Sequence, residues 1–509
     1  MWRITRICDI LGRKIEQDRH WGASRMVSEF GTANATILVV YLAGMVWIGL
    51  RLAGRQKTTE DYFLAGRNMP WLAVGMSMFA SLTSATTYMG VPAFAYGHNI
   101  AMIFGVAMSL AAAPILSRLF YPVYRKQRVT TSYEYILARY GPNARRAVSA
   151  LFILARLGWL GIVIYAPAKA MSVASGMPLL PAITLMGLLA VTYTVLGGLS
   201  AVIWTDVVQF VILFGGAVWL VITLVTHVPG GAAEIVRVAA ETGRLDIFAW
   251  TDFSKLTALS AVIGWFFVFL NDYGTDQVTV QRLMAVRTDA GVVKAIAFNA
   301  VNDLLINGML IFIGIGMFAY FRAFPGRLDA SVDADGMLPF YIMHILPPGA
   351  SGLMVTAIFA AAMSSVDSGI NSLSTVIVND WIKPWRRAQV EATDVALARW
   401  LTIGLGTLAT LAAVFASRIG NIVEMWMGIM GLFAAPILSI FVLGLLTRRA
   451  HFLGWLIGAG CGIALTVFLQ RYYADQLMTI WHFPLSFGVT TFVGYAASRL
   501  IWNPGHHQS

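Results

Sequence analysis

Long apolar segments recur along the whole chain, and they constrain its fold more than any other feature. About thirteen of them are long enough to cross a hydrocarbon layer ~30 Å thick, which takes roughly 20 helical residues. Over the 509 residues, 58% are hydrophobic and only 12% are charged, about half the charged share of a soluble domain. Because a soluble core cannot bury so much apolar surface, the sequence predicts an all-α polytopic membrane protein with about thirteen spans.

The apolar segments fall into groups that set the expected domain boundaries. Residues 1–32 form an N-terminal extension before the first segment. The groups are a lone span 0 at 33–51, spans 1 to 5 within 70–227, spans 6 to 10 within 258–446, and spans 11 and 12 within 451–501. We expect the two groups of five spans to be comparable five-helix units.

Lys and Arg residues between the spans predict the orientation of the chain. They concentrate in alternate loops, such as those at 51–67, 118–146, 282–294 and 383–399. Cytoplasmic loops carry the excess of Lys and Arg, so we expect the N-terminus outside, the C-terminus in the cytoplasm and the chain in the inner membrane. This assignment places Arg282 in a cytoplasmic loop.

The first 32 residues conflict with that orientation. They carry six basic residues, from Arg3 to Arg25, which would lie outside the cell. We therefore hypothesise that translation begins at Met26, after those charges. The alternative is a genuine basic extension whose effect on topology is outweighed by the later loops.

Motifs typical of enzymes are absent from the sequence. It holds no P-loop, no HExxH and no GxSxG, and its two cysteines, Cys8 and Cys461, lie far apart. The net charge of +11 comes from basic residues scattered between the spans, which form no patch for nucleic acid. We expect a protein of the lipid bilayer that is not an enzyme and has no nucleic-acid partner.

Two spans are interrupted by polar residues at corresponding places in the two halves. Span 1 contains "MSMFASLTSATTYMGVPAF", and span 6 contains "FVFLNDYGTDQVTVQR". A broken helix at membrane depth is tolerated only around a cavity, and a matching pair of breaks is typical of a transporter's midplane site. Polar packing faces between helices are the alternative, but the two aspartates of span 6 argue against it.

Span 8 carries a polar face in the run "AAAMSSVDSGINSLST". At ~100° per residue, Ala361, Ser364, Ser365 and Ser368 fall on about a third of the helix circumference, with Asp367 at its edge. Hydroxyl and carbonyl oxygens beside a carboxylate are hard ligands that suit an alkali cation. Hydroxyl contacts between helices would explain some of the serines but not Asp367, because a charge at membrane depth is costly.

These segments resemble the sodium:solute symporter family. The motifs are, in order, "DYFLAGRNMPWLAVGMSMFASLTSA", "GGLSAVIWTDVVQ", "YGTDQVTVQR", "AAAMSSVDSGINSLST" and "GLLTRRA". The likeness runs from about residue 33 to about residue 500. It implies a LeuT-type fold of two inverted five-helix repeats with flanking helices. It also implies sodium-coupled uptake of a solute such as a sugar, proline, sialic acid or a monocarboxylate.

The resemblance also implies a set of sodium ligands. The shared sodium site of the family corresponds here to Ala80, Thr83, Ala361, Ser364 and Ser365. A second cation site, present in some members, corresponds to Asp206, Asp367 and Ser368. This chain departs from the family at Asp367, where a serine is usual. The extra acid could tighten that sodium site or bind a proton instead.

Substrate residues are expected between the interrupted middles of spans 1 and 6. The candidates are Thr86, Thr87, Arg156, Trp159, Asn271, Asp272 and Tyr273. Leu82 and Thr87 stand where the sugar carriers have Asn and Gln, which disfavours a galactose-like sugar. Trp159 stands where the sialic acid carriers have an arginine, although Arg156 lies one turn away. Arg156 would clamp a solute carboxylate or would pair with an acid such as Asp272 or Asp206, and both hypotheses stay open.

The sequence therefore predicts a sodium-coupled symporter that imports a small organic solute, with Na⁺ as its coupling ion and a carboxylate-bearing solute as first choice. We expect it to work as a monomer by alternating access. The alternatives are a proton-coupled symporter and a solute-sensing membrane protein of the same fold.

Overall fold

The computed structural model describes residues 31–53, 58–175, 177–248, 252–329, 332–385, 391–416 and 427–501. Within these ranges the chain is helical apart from short connections, and its only β-type pairing is an isolated bridge between Met69 and Val286. The predicted all-α class is confirmed. The hypothesis that translation begins at Met26 concerns residues outside the described ranges.

The helices are numbered in chain order over the described residues. Helices α1 to α10 are Thr32–Ala53, Thr59–Leu64, Trp71–Leu82, Ala85–Gly97, Met102–Val106, Met108–Leu119, Tyr121–Gln127, Tyr133–Tyr140, Pro142–Ser175 and Leu179–His227. Helices α11 to α20 are Gly231–Glu241, Ala258–Gly274, Gln277–Met284, Asp289–Ala323, Met337–Ile345, Ala350–Val376, Glu391–Ala416, Ala435–Leu446, Phe452–Tyr472 and His482–Ile501.

The number of membrane spans is counted from the length and apolar composition of the helices. Among the described residues, nine helices are long and apolar enough to cross a membrane, and three shorter apolar helices accompany them. Two of the shorter ones, α3 and α12, are the first halves of the spans predicted to be interrupted. The count of about thirteen spans stays a prediction.

Span 1 breaks between α3 and α4. Helix α3 ends at Leu82, and Ser84 caps α4 by accepting a hydrogen bond from the backbone N–H of Thr87. Only Thr83 and Ser84 separate the two helices, while Pro92 lies inside α4. Serine and threonine side chains commonly bond to nearby backbone groups in place of helical hydrogen bonds, and Ser84 in "SLTSATT" does so here.

Span 6 breaks between α12 and α13, and neighbouring side chains satisfy the freed backbone. Asp276 Oδ1 accepts from the N–H of Val278 at 2.9 Å and so caps α13. Tyr124 donates to the carbonyl of Gly274 at 2.6 Å, and Ser132 donates to that of Thr275 at 3.0 Å. Carbonyls left open by a break inside a membrane need such partners. The interruption predicted for both spans is confirmed.

The polar span 8 is α16, and it lies at the centre of the molecule. It packs against α1, α3, α4, α9 and α10, and nearly all of its residues are buried. Long helix α10 bends at Gly198, whose φ of 56° is favourable only for glycine. Because helices surround α16, its serines and Asp367 face protein rather than lipid.

Candidate functional site

The predicted sodium residues meet where the end of α3 contacts the middle of α16. Ser364 Oγ donates to the backbone carbonyl of Ala80 at 2.6 Å and to that of Ala361 at 3.0 Å. Ser365 Oγ donates to the carbonyl of Ser81 at 2.9 Å. These residues are all buried. The two helices therefore share a cluster of hydroxyl and carbonyl oxygens at the break in span 1.

The chemistry of this cluster fits an alkali cation. Thr83 lies at the break, and its buried Oγ1 has no hydrogen-bond partner in the described part of the chain. A buried hydroxyl without a hydrogen-bond partner is unusual, and its place at the break, where α3 and α16 share oxygens, fits a ligand of a bound cation. The hydroxyls of Ser364 and Ser365 can turn their protons away and offer lone pairs instead.

The second predicted cation residue, Asp206 on α10, accepts several hydrogen bonds at the same interface. Its Oδ2 accepts from Ser77 Oγ at 2.5 Å, from Ser81 Oγ at 3.3 Å and from Arg282 Nη2 at 3.1 Å. Its Oδ1 is buried without a hydrogen-bond partner among the described residues. Asp206 and Arg282 thus form a buried ion pair, with side chains 0% and 1% exposed.

Arg282 is a site residue that the sequence analysis missed. The prediction that it lies in a cytoplasmic loop is wrong, because α13 carries it back into the core. Its guanidinium also donates to Ser77 Oγ at 2.8 Å, to the carbonyl of Val278 at 3.0 Å and to Ser368 Oγ. The signal was available: Arg282 is only eight positions after Gly274, so it is still within membrane depth.

Asp367 and Ser368 are the other two residues of the predicted second cation site, here called the second cluster together with Asp206. Asp367 Oδ1 accepts from the backbone N–H of Ser368 at 2.6 Å, and its Oδ2 is buried with no hydrogen-bond partner in the described ranges. Ser368 and Ser81 hydroxyls lie 2.8 Å apart. Ser81 therefore belongs to both clusters, with its carbonyl in the first and its hydroxyl in the second.

A cavity of about 120 Å³ lies at the breaks of the two interrupted spans. Five of the predicted substrate residues line it, namely Thr86, Thr87, Arg156, Trp159 and Asp272. Ser81 and Leu82, at the end of α3, also reach it, so the cavity adjoins the sodium cluster. Trp265 and Asn307 complete its polar and aromatic wall and were not predicted.

The other two substrate candidates are placed differently. Asn271 borders a smaller neighbouring cavity together with Arg156 and Trp159. Its side-chain carbonyl accepts from Thr275 Oγ1 at 2.8 Å, so it supports the break in span 6. Tyr273 is 1% exposed and lines neither cavity; its backbone carbonyl accepts from the hydroxyl of Tyr121.

Arg156 has an acidic partner that neither sequence hypothesis named. Its Nη2 pairs with Asp276 Oδ2, the same residue that caps α13. The guanidinium carbon lies 4.6 Å from the ring centre of Trp159 and 5.5 Å from that of Phe152. Asp276 and two aromatic rings therefore fix the orientation of Arg156, which still borders the cavity.

A further polar network joins the segment before α8, helix α9 and the helical turn 377–382 that follows α16. Thr131 Oγ1 donates to Asp380 at 3.0 Å, and Arg145 Nη1 lies 3.8 Å from the same carboxylate. Glu134, outside the spans, accepts from the N–H groups of Thr130 at 3.2 Å and Thr131 at 3.3 Å. Burial raises the pKa of Glu134 above its usual range, against the lowering effect of those hydrogen bonds.

Two broken helices, a buried cluster of hard oxygen ligands and a cavity between the breaks define this molecule as a secondary transporter. The profile of the sodium:solute symporter family matches residues 62–462. The chain belongs to that family. It is therefore a sodium-coupled membrane transporter of a small solute and not an enzyme, and the expected LeuT-type fold and use of Na⁺ are confirmed.

Individual relatives agree with this assignment. The sodium/sialic acid symporter NanT of Aliivibrio fischeri is 30% identical over 93% of this chain and 94% of its own length. Sodium-coupled monocarboxylate transporter 2 of Homo sapiens is 29% identical over 85% of this chain and 71% of its own length. A solved structure of a Na⁺-coupled sialic acid symporter in a substrate-bound outward-open state superposes with a TM-score of 0.86. It is 30% identical and covers 93% of this chain and 99% of its own.

Proposed function

We propose that this protein imports a small carboxylate-bearing solute together with sodium, and that Arg156 binds the solute carboxylate. The observation that carries the proposal is the cavity in which Arg156 and Trp159 face Thr86 and Thr87 beside the sodium cluster. The guanidinium offers several N–H donors, of which Nη2 is paired with Asp276. Sialic acid and monocarboxylates, named for the relatives, both carry the carboxylate that such a group recognises.

Sodium couples to the solute through α3 and α16 in this proposal. An ion held by Ala80, Thr83, Ala361, Ser364 and Ser365 ties the two helices together and stabilises the solute-ready state. Each ligand then binds better when the other is present, and rocking of the helices opens the site to the other side. One charge moved across 100 mV supplies ~2.3 kcal/mol, and a tenfold sodium gradient adds ~1.4 kcal/mol. The total suffices for accumulation of several hundredfold.

Proton coupling is a second candidate, favoured by Asp367. Asp206 accepts a hydrogen bond from Arg282 and so has a cationic partner, whereas Asp367 Oδ2 has no hydrogen-bond partner among the described residues. A buried carboxyl group in that position either takes a proton or joins Asp206 and Ser368 as ligands of a second sodium. The proposal therefore includes one further coupling ion at Asp206, Asp367 and Ser368.

The remaining parts of the proposal concern assembly and orientation. We place the N-terminus outside, the C-terminus in the cytoplasm and the protein in the inner membrane, on the distribution of Lys and Arg between the spans. Arg282 is removed from that count by its burial, but loops such as 118–146 and 383–399 still support the orientation. We propose a monomer as the working unit and no nucleic-acid partner.

Arg156→Lys should raise the KM for uptake into proteoliposomes by about 10- to 100-fold under an inward sodium gradient. Lysine keeps the charge but loses the planar set of donors, and a hydrogen bond to a charged group contributes ~1.5–3 kcal/mol. Arg146→Lys is the matched control, since Arg146 is on the same helix against Trp385 and away from the cavity. Unchanged KM in Arg156→Lys, or uptake that ignores the sodium gradient, would overturn the proposed function.

Asp367→Ser should separate the two hypotheses for the second ion. If Asp367 carries a proton, the variant should lose the uptake driven by an inward proton gradient and keep the uptake driven by sodium. If Asp367 is a sodium ligand, the Hill coefficient for sodium should fall from about 2 towards 1 while the proton gradient has no effect in either protein. Sodium flux and solute flux measured together in proteoliposomes give the stoichiometry. No change in either ion dependence would remove Asp367 from the coupling site.

A further inference from the structure

Acidic side chains outnumber basic ones around the solute cavity, and this composition does not suit a solute that carries only a negative charge. Arg156 is the one cationic side chain that lines the cavity within the described residues, and its ion pair is with Asp276. Asp272 lines the same cavity, where its carboxylate accepts a hydrogen bond from Asn271 Nδ2 at 3.1 Å. Around the cavity the carboxyl groups of Asp272 and Asp276 thus outnumber the one guanidinium, before Asp303 on α14 is counted.

Asp303 on α14 adds a second uncompensated carboxylate. Asn307 Nδ2, in the cavity wall, donates to Asp303 Oδ1 at 3.0 Å. Asp303 is 9% exposed, and its Oδ2 has no hydrogen-bond partner in the described ranges. One turn before it, Asn299 is 1% exposed, and both atoms of its amide also have no partner there.

Neither Asp272 nor Asp303 has an ion pair among the described residues, and a positive group on the solute would supply one, because an unpaired charge at membrane depth is strongly unfavourable. The aromatic wall favours an organic cation over a bare metal ion. Trp265 lies seven residues before Asp272 on α12, hence on the same face, and it lines the cavity. An indole face beside carboxylates attracts an ammonium group. No cluster of three metal-ligating side chains occurs in the described part of the chain.

We propose that the solute carries a protonated amine as well as a carboxylate, and that Asp272 and Asp303 bind the amine. This inference rests on the proposed function, in which Arg156 binds the carboxylate. The solute class is then a small zwitterion of the amino-acid type. Its carboxylate lies towards Arg156 on α9 and its amine towards α12 and α14. The cavity of about 120 Å³ suits a molecule of that size.

The test compares pairs of acids that differ only in the amine. Purified full-length protein in nanodiscs is titrated with β-alanine against propionate and with γ-aminobutyrate against butyrate, in sodium and in potassium. We expect a preference of about 30-fold or more for the amine-bearing acid in sodium, as truncation of one partner in a buried charge pair commonly produces. Asp303→Asn should reduce that preference at least about tenfold while the affinity for the amine-free acid changes less than about threefold.

Asp303→Asn is expected to fold, because it removes an uncompensated buried charge, and Asp272→Asn gives a second, independent variant. Asp289→Asn, on the same helix with its side chain 82% exposed, is the matched control and should keep the wild-type preference. Equal binding of the amine-bearing and amine-free acids overturns the amine site and leaves carboxylate transport standing. A variant that changes sodium activation and not the solute preference also overturns it, because the two carboxylates would then bind a coupling cation. Absence of sodium-dependent binding for every acid overturns both proposals.

Discussion

Ser364→Ala and Ser365→Ala should each raise the sodium concentration for half-maximal uptake by about tenfold or more. The double variant should lose sodium-dependent uptake. Each serine offers one hydroxyl oxygen to the ion, and each now donates to a carbonyl of α3, Ala80 or Ser81. Alanine removes the oxygen and leaves that carbonyl without its partner. A tenfold loss corresponds to ~1.4 kcal/mol, the order expected for one lost polar contact in a buried site.

The control for this prediction is Ser372→Ala on the same helix. Ser372 is 1% exposed, and its hydroxyl donates to the carbonyl of Gly369, three residues earlier, at 2.8 Å. The substitution therefore removes a buried hydroxyl from α16 without touching α3. Sodium titration of solute uptake, with protein amount matched by fluorescence detection, checks the two single variants, the double variant and the control. If Ser372→Ala weakens sodium activation as much as Ser365→Ala does, the effect is one of helix packing, and the sodium assignment fails.

The parts of the fold that follow local rules were predictable from the sequence. Apolar length identified the membrane helices, and the polar, Gly-containing runs located both breaks, at Thr83–Ser84 and at Thr275–Asp276. The polar face of α16 follows from a period of 3.6 residues alone. The boundary expected between the segments 179–197 and 201–227 coincides with the non-helical Gly198 in α10, so these two segments are helical pieces that meet at a kink without a loop.

The sequence could not supply the pairings that depend on which helices become neighbours. One of the two hypotheses for Arg156 paired it with an acid such as Asp272 or Asp206, and in the structure it pairs with Asp276, the cap residue at the break in span 6. Arg282 was assigned to a loop because the charge rule counts every Lys and Arg near the end of a span. The rule cannot identify an arginine that pairs with a buried carboxylate, as Arg282 does with Asp206. Asp303 and Asn307 lay in a long apolar helix, and only the cavity gives them a role.

These corrections change which of the buried charges pair with each other and which remain to attract a coupling ion. Asp206 was predicted as a cation ligand, yet a guanidinium already lies 3.1 Å from it and also contacts Ser77 and Ser368. Arg282 therefore supplies a permanent positive charge next to the residues proposed for the second ion. A mobile cation entering there is attracted by the second carboxylate, Asp367, rather than by Asp206 alone. The pair Asp206–Arg282 then holds the helices together through Asp206 Oδ2, and Oδ1, which has no hydrogen-bond partner among the described residues, stays available to the ion.

Arg282→Gln and Asp206→Asn should each destabilise the protein by about 3–5 kcal/mol, since each leaves one buried charge without its partner. The double variant, which has neither charge, should regain about half or more of that loss. Both ions are fully buried and α10, α13 and α16 meet around them, so the cost arises in the core and not at a lipid-exposed surface. Thermal unfolding in detergent, followed by tryptophan fluorescence, measures the three variants against wild type.

Arg287→Gln is the matched control, because Arg287 follows α13 by three residues and is exposed. It should unfold like wild type. Regained stability in the double variant without regained uptake would show that the pair also positions Ser77, Ser81 and Ser368 for the coupling ions, since those hydroxyls would have lost their charged partners. Should the double variant be as unstable as the sum of the single ones, the two residues act independently, and the ion pair does not hold these helices together.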